Sequence, residues 1–435
     1  MLFRTLRASR AIKRGDFARA LAIAPESMSV LSQLGMHISV LDRRGQARSA
    51  EDDFAVTRAL ADLGDIGQVR ARAGALAKTS APRRLAIAVA VARWDPGFAL
   101  ELAPVAKSLP RAAIHLALGD ITAAARELES IGETVDPEVS AVRASLAART
   151  GDHRGARRHL ATATGRDGVS VIDTFDHAPI NLFAFRPMFS GRFDGEIVSV
   201  IMAARNSRET IQAAVASVLQ QSWRPLELIV VDDASTDDSV DVALDAIGSE
   251  RRARVVKLDR QVGPYAARNF GIGLSQGAVV AFQDADDASH PARLQESMEA
   301  LDADPRNIGS VSRLVRFEET GVPMSPRIFP LIRANPSSLV VRRRVFQEIG
   351  GFEEVPFGAD NELFSRICAR YGPSSIIRSP ALRTLASWRR GGLTRSTNSG
   401  ILDKGANLRR QEYFESWMRR LYFRDAQSEL SVPRR

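Results

Sequence analysis

The sequence predicts an all-helical array followed by an α/β domain with a doubly wound, mostly parallel sheet, and three observations predict it. Residues 1–165 are rich in Ala, Leu and Arg, poor in strand formers and broken by short glycine turns. From about residue 197 the chain changes to short β-branched runs alternating with helical stretches, the pattern of βα units. Two of those runs end abruptly in acid, LELIVVDD at 226–233 and AVVAFQDADD at 278–287. Acid at the carboxyl end of a buried strand lies on the rim where open α/β sheets bind ligands.

In the helical part the turns fall at 14–16, 44–46, 63–65, 118–120 and 150–152, with helical periodicity on both sides of each. Several lead into a small-residue pattern, as in GDFARAL at 15–21 and GDITAAA at 119–125, and alanine there lets two helices approach closely. The array resembles degenerate tetratricopeptide-type repeats. Such an array offers a concave surface to a protein partner, and a helical spacer or stabilising cap is the alternative. Residues 166–196, aromatic-rich and without a period, read as a packed linker.

Beyond the linker the expected order is a strand at 197–204, a helix at 209–221, a strand at 226–233 and a short strand at 254–258. A helix at 265–275 and the strand at 278–282 follow, then a helix at 291–303, a strand at 308–317 and a long Pro-rich loop at 321–336. Residues 339–350 read as a strand and then a helix. The acids of the two acid-ended strands, Asp232 and Asp233 on one and Asp284, Asp286 and Asp287 on the other, then share a rim. Three carboxylates within four residues repel one another unless a cation sits between them. A hard divalent metal held by one or two carboxylates, with water and substrate phosphate completing the shell, is one answer. A solvated acidic turn is the other.

Composition bounds the class. Of 435 residues, 45% are hydrophobic and 26% charged, which is ordinary for a globular chain long enough for two or three domains. The single cysteine, Cys368, excludes an intramolecular disulfide and a thiolate metal cluster. No apolar run approaches the ~18 residues of a spanning helix, and the start lacks the apolar core of a secretory signal, so a cytoplasmic protein is expected. The net charge of +9 is spread among interspersed acids and bases, with no aromatic-laced basic stripe, which argues against nucleic acid. Anionic phosphorylated substrates or an anionic membrane surface account for it as well. The tail, 401–435, carries aromatic residues 413, 414, 417, 422 and 423 in helical spacing among basic ones. As an amphipathic helix it either contacts the inner face of a membrane peripherally or packs on its own domain.

The ordered motifs VSVIMAARN (198–206), LELIVVDDASTDDS (226–239), GPYAARNFG (263–271), QDADDASHPARL (283–294) and DNELFSR (360–366) are together similar to inverting family 2 glycosyltransferases with the GT-A fold. The resemblance covers about 197–400. It implies a nucleotide-diphosphate sugar, a UDP-sugar, as donor, a glycan or lipid-linked acceptor, and a divalent ion, Mg²⁺ or Mn²⁺, held by Asp286 and Asp287 with Asp284 beside the donor. It implies Asp360 as catalytic base, Asp232 and Asp233 near the nucleotide base, Ala203 and Arg205 flanking it, and Arg268 and Arg390 as donor-side cations. Where the family commonly has Glu this chain has Ala359, and where the opening loop usually carries Pro and an aromatic it has Ala203 and Arg205. A non-catalytic scaffold that works through its repeats is the rival reading. A nucleotidyltransferase would call for a Gly- and Lys-rich phosphate loop where this chain has ARNS at 204–207.

Overall fold

The computed structural model describes residues 2–106, 108–165, 193–389, 395 and 400–423. Most of the expected linker, Arg390 and residues 391–394 therefore lie outside the described residues.

Helices fill the first part, from Leu2–Lys13 to His153–Thr164. The glycine turns have one local cause. Gly15, Gly64, Gly119 and Gly151 all adopt left-handed backbone, with φ of 76°, 86°, 77° and 80°, which closes one helix without a Cβ clash. The following Asp16, Asp65, Asp120 and Asp152 each accept a hydrogen bond from a backbone N–H in the first turn of the next helix. Each Gly-Asp pair thus stops one helix and starts another. Residues 44–46 differ: Arg44–Gln46 form a 3₁₀ turn, and Ser49 caps the next helix.

The second part is a sheet of β1 (Val198–Ala204), β2 (Leu226–Asp232), β3 (Ala253–Lys257), β4 (Val279–Asp284), β5 (Ala288–Ser289), β6 (Gly309–Glu318), β7 (Pro323–Met324), β8 (Arg333–Ala334), β9 (Val340–Arg342) and β10 (Ile376–Trp388). The order is β3-β2-β1-β4-β9-β6-β10-β5, with β7 and β8 paired to β6. Pairing is parallel from β3 to β4 and between β6 and β10, and β9 runs antiparallel between β4 and β6. The expected doubly wound, mostly parallel sheet is what forms. One apolar layer joins β1 and β2 to helices Ile211–Leu219 and Arg293–Asp302, and the opposite layer joins them to Pro264–Leu274 and Ala359–Tyr371. Strands covered on both faces need no polar alternation, hence the continuous β-branched runs. Helix Pro264–Leu274 sits close because Gly271 has no side chain: a Cβ there would lie 2.5 Å from Ile201 Cγ2.

β10 was not among the expected strands. Its sequence, IIRSPALRTLASW, contains Pro380, and its pairing with β6 shifts register between Arg378 and Leu382. Proline removes a ladder donor, and the strand accommodates it with an irregularity rather than ending.

The helical part packs on the sheet. Ala112, Leu128, Val142 and Leu160 share a core with Val315, Phe317, Leu331 and Leu385. The last described helix, Lys404–Tyr422, takes the second of its two expected placements and packs on the protein. Its Trp417, Met418 and Tyr422 are buried in the core of the first helices, beside Leu21, Leu31 and Val40, and Tyr413, Phe414, Leu421 and Phe423 pack against it. Glu415 accepts bonds from the Ile38 and Ser39 amides, and Tyr422 Oη donates to the Ser365 carbonyl. The aromatic stripe is thus covered by the protein itself. Among the described residues no helix is long and apolar enough to cross a membrane.

Candidate active site

The acidic turn is braced from below. The Gln283 amide donates to the carbonyls of Asp284 (3.1 Å) and Asp287 (2.8 Å), while its own oxygen accepts from Ser289. Under it the buried Arg293 guanidinium donates to the Phe282 carbonyl at 3.2 Å, and burial lowers its pKa to about 10. From β10, the Ser387 amide donates to Asp287 Oδ1 (3.0 Å) and the Ser387 hydroxyl to Asp286 Oδ2 (3.1 Å). Asp287 is buried at 7% exposure and turned to β10, whereas Asp284 and Asp286 are partly exposed. Burial, then the neighbouring Asp284, raises the Asp286 carboxyl, and burial with both neighbouring acids raises Asp287 further. Arg389 Nε lies 4.0 Å from Asp286 Oδ2. Among the described residues no three His, Cys, Asp or Glu groups converge as a metal cage. The oxygen set of Asp284 and Asp286 fits a hard cation that takes one or two carboxylates and completes its shell with phosphate and water. Asp287, expected to share that role, has its Oδ1 engaged by the Ser387 amide.

Two side chains one helical turn apart join this acidic turn to the distant Asp360. Arg268 donates through Nη2 to Asp284 Oδ1, with its guanidinium 5.2 Å from the Tyr265 ring centroid and 5.6 Å from that of Phe352. Burial opposes its charge, but Asp284, Tyr265 and Asp360 hold its pKa above the ordinary value. Tyr265 Oη donates to Asp360 Oδ1 at 3.1 Å and accepts from the Gly358 amide at 3.0 Å. Burial and then Asp360 raise the Tyr265 hydroxyl, so it stays protonated and remains a donor. Ser337 donates to Asp360 Oδ2 at 3.4 Å. Asp360 lies in the first turn of Ala359–Tyr371, whose N-cap, Gly358, is left-handed at φ 83°.

The nucleotide-side residues divide. Ala203 pairs in register with Asp284 on one side and Val231 on the other, which places the end of β1 directly beside the acidic turn. Arg205 is exposed on the rim. Asp233 accepts from the Val262 amide at 2.6 Å and the Gly263 amide at 2.9 Å, holding the segment that enters Pro264–Leu274. Asp232 is 1% exposed; its Oδ2 accepts from the Ser235 amide, and its Oδ1 is buried without a partner among the described residues. Between these loops Asn206 accepts from the Thr236 amide.

Sequence reasoning missed Tyr265, Gln283, Ser337 and Ser387. Tyr265 stands three positions before Arg268, so helical spacing was a usable signal for it. Ser387 had none, because its strand was not expected.

His290, behind the turn, accepts through Nδ1 from the Ala292 amide, and its Nε2 is buried without a partner among the described residues. Burial first, and Arg383 second, lower its pKa to about 3. The unfolded chain therefore binds more protons than the folded one between about pH 6.5 and 3, and stability falls as pH falls through that window. We expect His290 to contribute a loss of about 1.4 kcal/mol per pH unit below about pH 6. Urea unfolding of wild type and His290→Gln between these limits checks it, since the substitution should flatten the slope; equal slopes refute it.

Residues 199–367 match the protein-family model described as "Glycosyl transferase family 2". The succinoglycan biosynthesis protein ExoU of Rhizobium meliloti is 33% identical over 210 residues, covering 42% of this chain and 60% of that protein. The UDP-Glc:alpha-D-GlcNAc-diphosphoundecaprenol beta-1,3-glucosyltransferase WfaP of Escherichia coli is 37% identical over 94 residues, covering 21% of this chain and 36% of that protein. The chain thus spans about three-fifths of ExoU and a smaller share of WfaP. Among solved structures, S. aureus TarS 1–349 in complex with UDP-GlcNAc aligns at 20% identity and a TM-score of 0.35, covering 45% of this chain and 59% of that one. Asp233, Arg268, Asp284, Asp286 and Asp360 all lie within residues 199–367, the stretch that matches the glycosyltransferase family 2 model.

Proposed function

We propose that the chain is a metal-dependent, inverting glycosyltransferase that moves a sugar from a UDP-sugar to a hydroxyl of a glycan or lipid-linked acceptor. The observation that carries this reading is the Tyr265–Arg268 pair, which ties the donor-side Asp284 and the acceptor-side Asp360 to one helix turn. A displacement needs both halves at fixed separation, because attack and departure lie in line.

In this reading Asp360 takes the proton of the acceptor hydroxyl while that oxygen bonds to the anomeric carbon. The bond to the β-phosphate oxygen breaks, its electron pair leaves with the diphosphate, and the anomeric centre inverts. Tyr265 and Ser337 orient the base by donating to its two oxygens. Asp286 with Asp284 would hold Mg²⁺ or Mn²⁺, whose chemistry is to neutralise charge on the departing diphosphate. Arg268 stays charged beside them. Asp232, Asp233, Ala203 and Arg205 form the nucleotide end. The ExoU and WfaP matches support a role in polysaccharide or glycolipid assembly, and WfaP by its name acts on a diphospho-lipid. We place the work in the cytoplasm and read the helical array as tetratricopeptide-like, with a protein partner as its second use. Ala359 does not count for the scaffold reading: its methyl is fully buried in the apolar layer, and the neighbouring Asp360 keeps its partners.

Calorimetry tests the donor half without turnover. UDP should bind more tightly with Mg²⁺ or Mn²⁺ than with EDTA, and Asp286→Asn should remove at least about tenfold of that increment, about 1.4 kcal/mol. Equal UDP affinity with and without metal would sink the metal reading.

A further inference from the structure

The segment that delivers Asp360 to the site, residues 350–358 between helices Arg344–Ile349 and Ala359–Tyr371, is held from two sides. On the donor side stands Asn269, next to Arg268 on helix Pro264–Leu274. Its amide nitrogen donates to the Phe352 carbonyl at 2.9 Å, and its oxygen accepts from the Phe352 amide at 2.8 Å. One side chain thus takes both backbone groups of a single residue, as a neighbouring strand would. Tyr265 closes the far end of the segment by accepting from the Gly358 amide at 3.0 Å.

The other side is supplied by helix Lys404–Tyr422, which lies outside the stretch that matches the family model. Tyr413 Oη donates to Glu353 Oε2 at 2.7 Å, and Arg420 Nη2 donates to Oε1 at 2.6 Å. The phenol–carboxylate bond is the stronger tie, since Arg420 is half exposed and exposed ion pairs contribute little. Burial, then Glu353, raise the Tyr413 hydroxyl, so it stays protonated and remains a donor. A Cβ on Gly358 would lie 3.3 Å from Tyr413 Cδ1, so the ring sits against the backbone that caps the Asp360 helix. Arg410 stacks 4.7 Å over Phe357. Tyr413 therefore bridges two parts of the protein: its ring packs against the core of the first helices, and its hydroxyl ends on the segment that leads to the base. The helix that carries it is pinned to the array, where Glu415 accepts from the Ile38 amide at 2.6 Å and the Ser39 amide at 2.9 Å.

We propose that Tyr413 is a positioning residue for Asp360, and that helix Lys404–Tyr422 carries the placement of the helical array to the segment that holds the base. The proposal rests on the transferase reading and gives the array a part in the reaction that a spacer or cap lacks. Residues 350–358 include Gly350, Gly351 and Gly358, a backbone too free to keep one course by itself. Asn269 sets that course against the donor side, and Tyr413 sets it against the array. In-line displacement tolerates little error there, because misplacing a reacting group by about 1 Å can cost about a hundredfold.

The probe is release of UDP from a panel of UDP-hexoses, UDP-N-acetylhexosamines and UDP-hexuronic acids by the full chain with Mg²⁺ or Mn²⁺, water standing in for the acceptor hydroxyl. Tyr413→Phe keeps the ring and removes only the bond to Glu353. It should lower kcat about tenfold, with UDP affinity and stoichiometry by calorimetry unchanged. Glu353→Gln keeps an oxygen for the hydroxyl and should lose less, about threefold, while the two substitutions together should lose no more than Tyr413→Phe alone. In an Asp360→Asn background Tyr413→Phe should change the residual rate by less than about twofold, because a residue that acts through the base has nothing left to place. Thermal melting of the same variants reads folding separately. An unchanged kcat in Tyr413→Phe, or the same tenfold loss with and without Asp360, would overturn this proposal. Wild type that binds no UDP, or releases it from none of the panel, would overturn the transferase reading beneath it.

Discussion

Replacing Asp360 with asparagine is expected to lower sugar transfer by about three orders of magnitude, the middle of the range for a positioned general base. The substitution keeps the shape of the side chain and an oxygen for the Tyr265 hydroxyl, so what it removes is proton acceptance. UDP affinity should persist, since Asp360 sits on the acceptor side of the Tyr265–Arg268 pair. The nearest alternative base on the same helix, Glu362, is 2% exposed and held by both Nε and Nη2 of Arg366 at 2.8 Å, so it has no access to an acceptor. Steady-state transfer and UDP calorimetry on one preparation check the pair of outcomes. A wild-type rate in Asp360→Asn would move the base elsewhere.

Removing Arg268 should have the largest effect on stability. Arg268→Met retains much of the volume among Tyr265, Phe282 and Phe352 but leaves Asp284 without its cation. Breaking one side of a buried pair costs about 3–5 kcal/mol, and we expect about 3 here because the Asp284 side chain keeps 31% exposure. The double variant Arg268→Met, Asp284→Asn should recover most of that loss, because no unpaired charge remains. Denaturant unfolding of the two single variants and the double closes the cycle. If the double variant's loss equals the sum of the two single losses, the two residues do not act as a pair.

How much of this was legible in the sequence differs by element. β1, β2 and β4 were readable because strands covered on both faces are continuously apolar, and their acid ends followed from position alone. The Gly-Asp turns were readable because both residues act locally, one by conformation and the other by capping. β10 was not, since its Pro380 and polar residues match no strand pattern and its place is set by β6 alongside it. The same limit applies to the site. Asp284 and Asp286 announced themselves, but the inward turn of Asp287 depends on Ser387, a hundred positions away on that unread strand. The stripe on the last helix was seen correctly as amphipathic. Periodicity says that an apolar face will be covered, and only the tertiary fold says by what.

That covering joins distant parts of the chain. Phe17, near the start, meets Tyr422, near the other extreme, with ring centroids 5.7 Å apart. The helices around Phe17 thus take part of their interior from a segment some four hundred residues later in the chain. That core is closed only with helix Lys404–Tyr422 in place, and the strands of the sheet lie in the chain between its two halves.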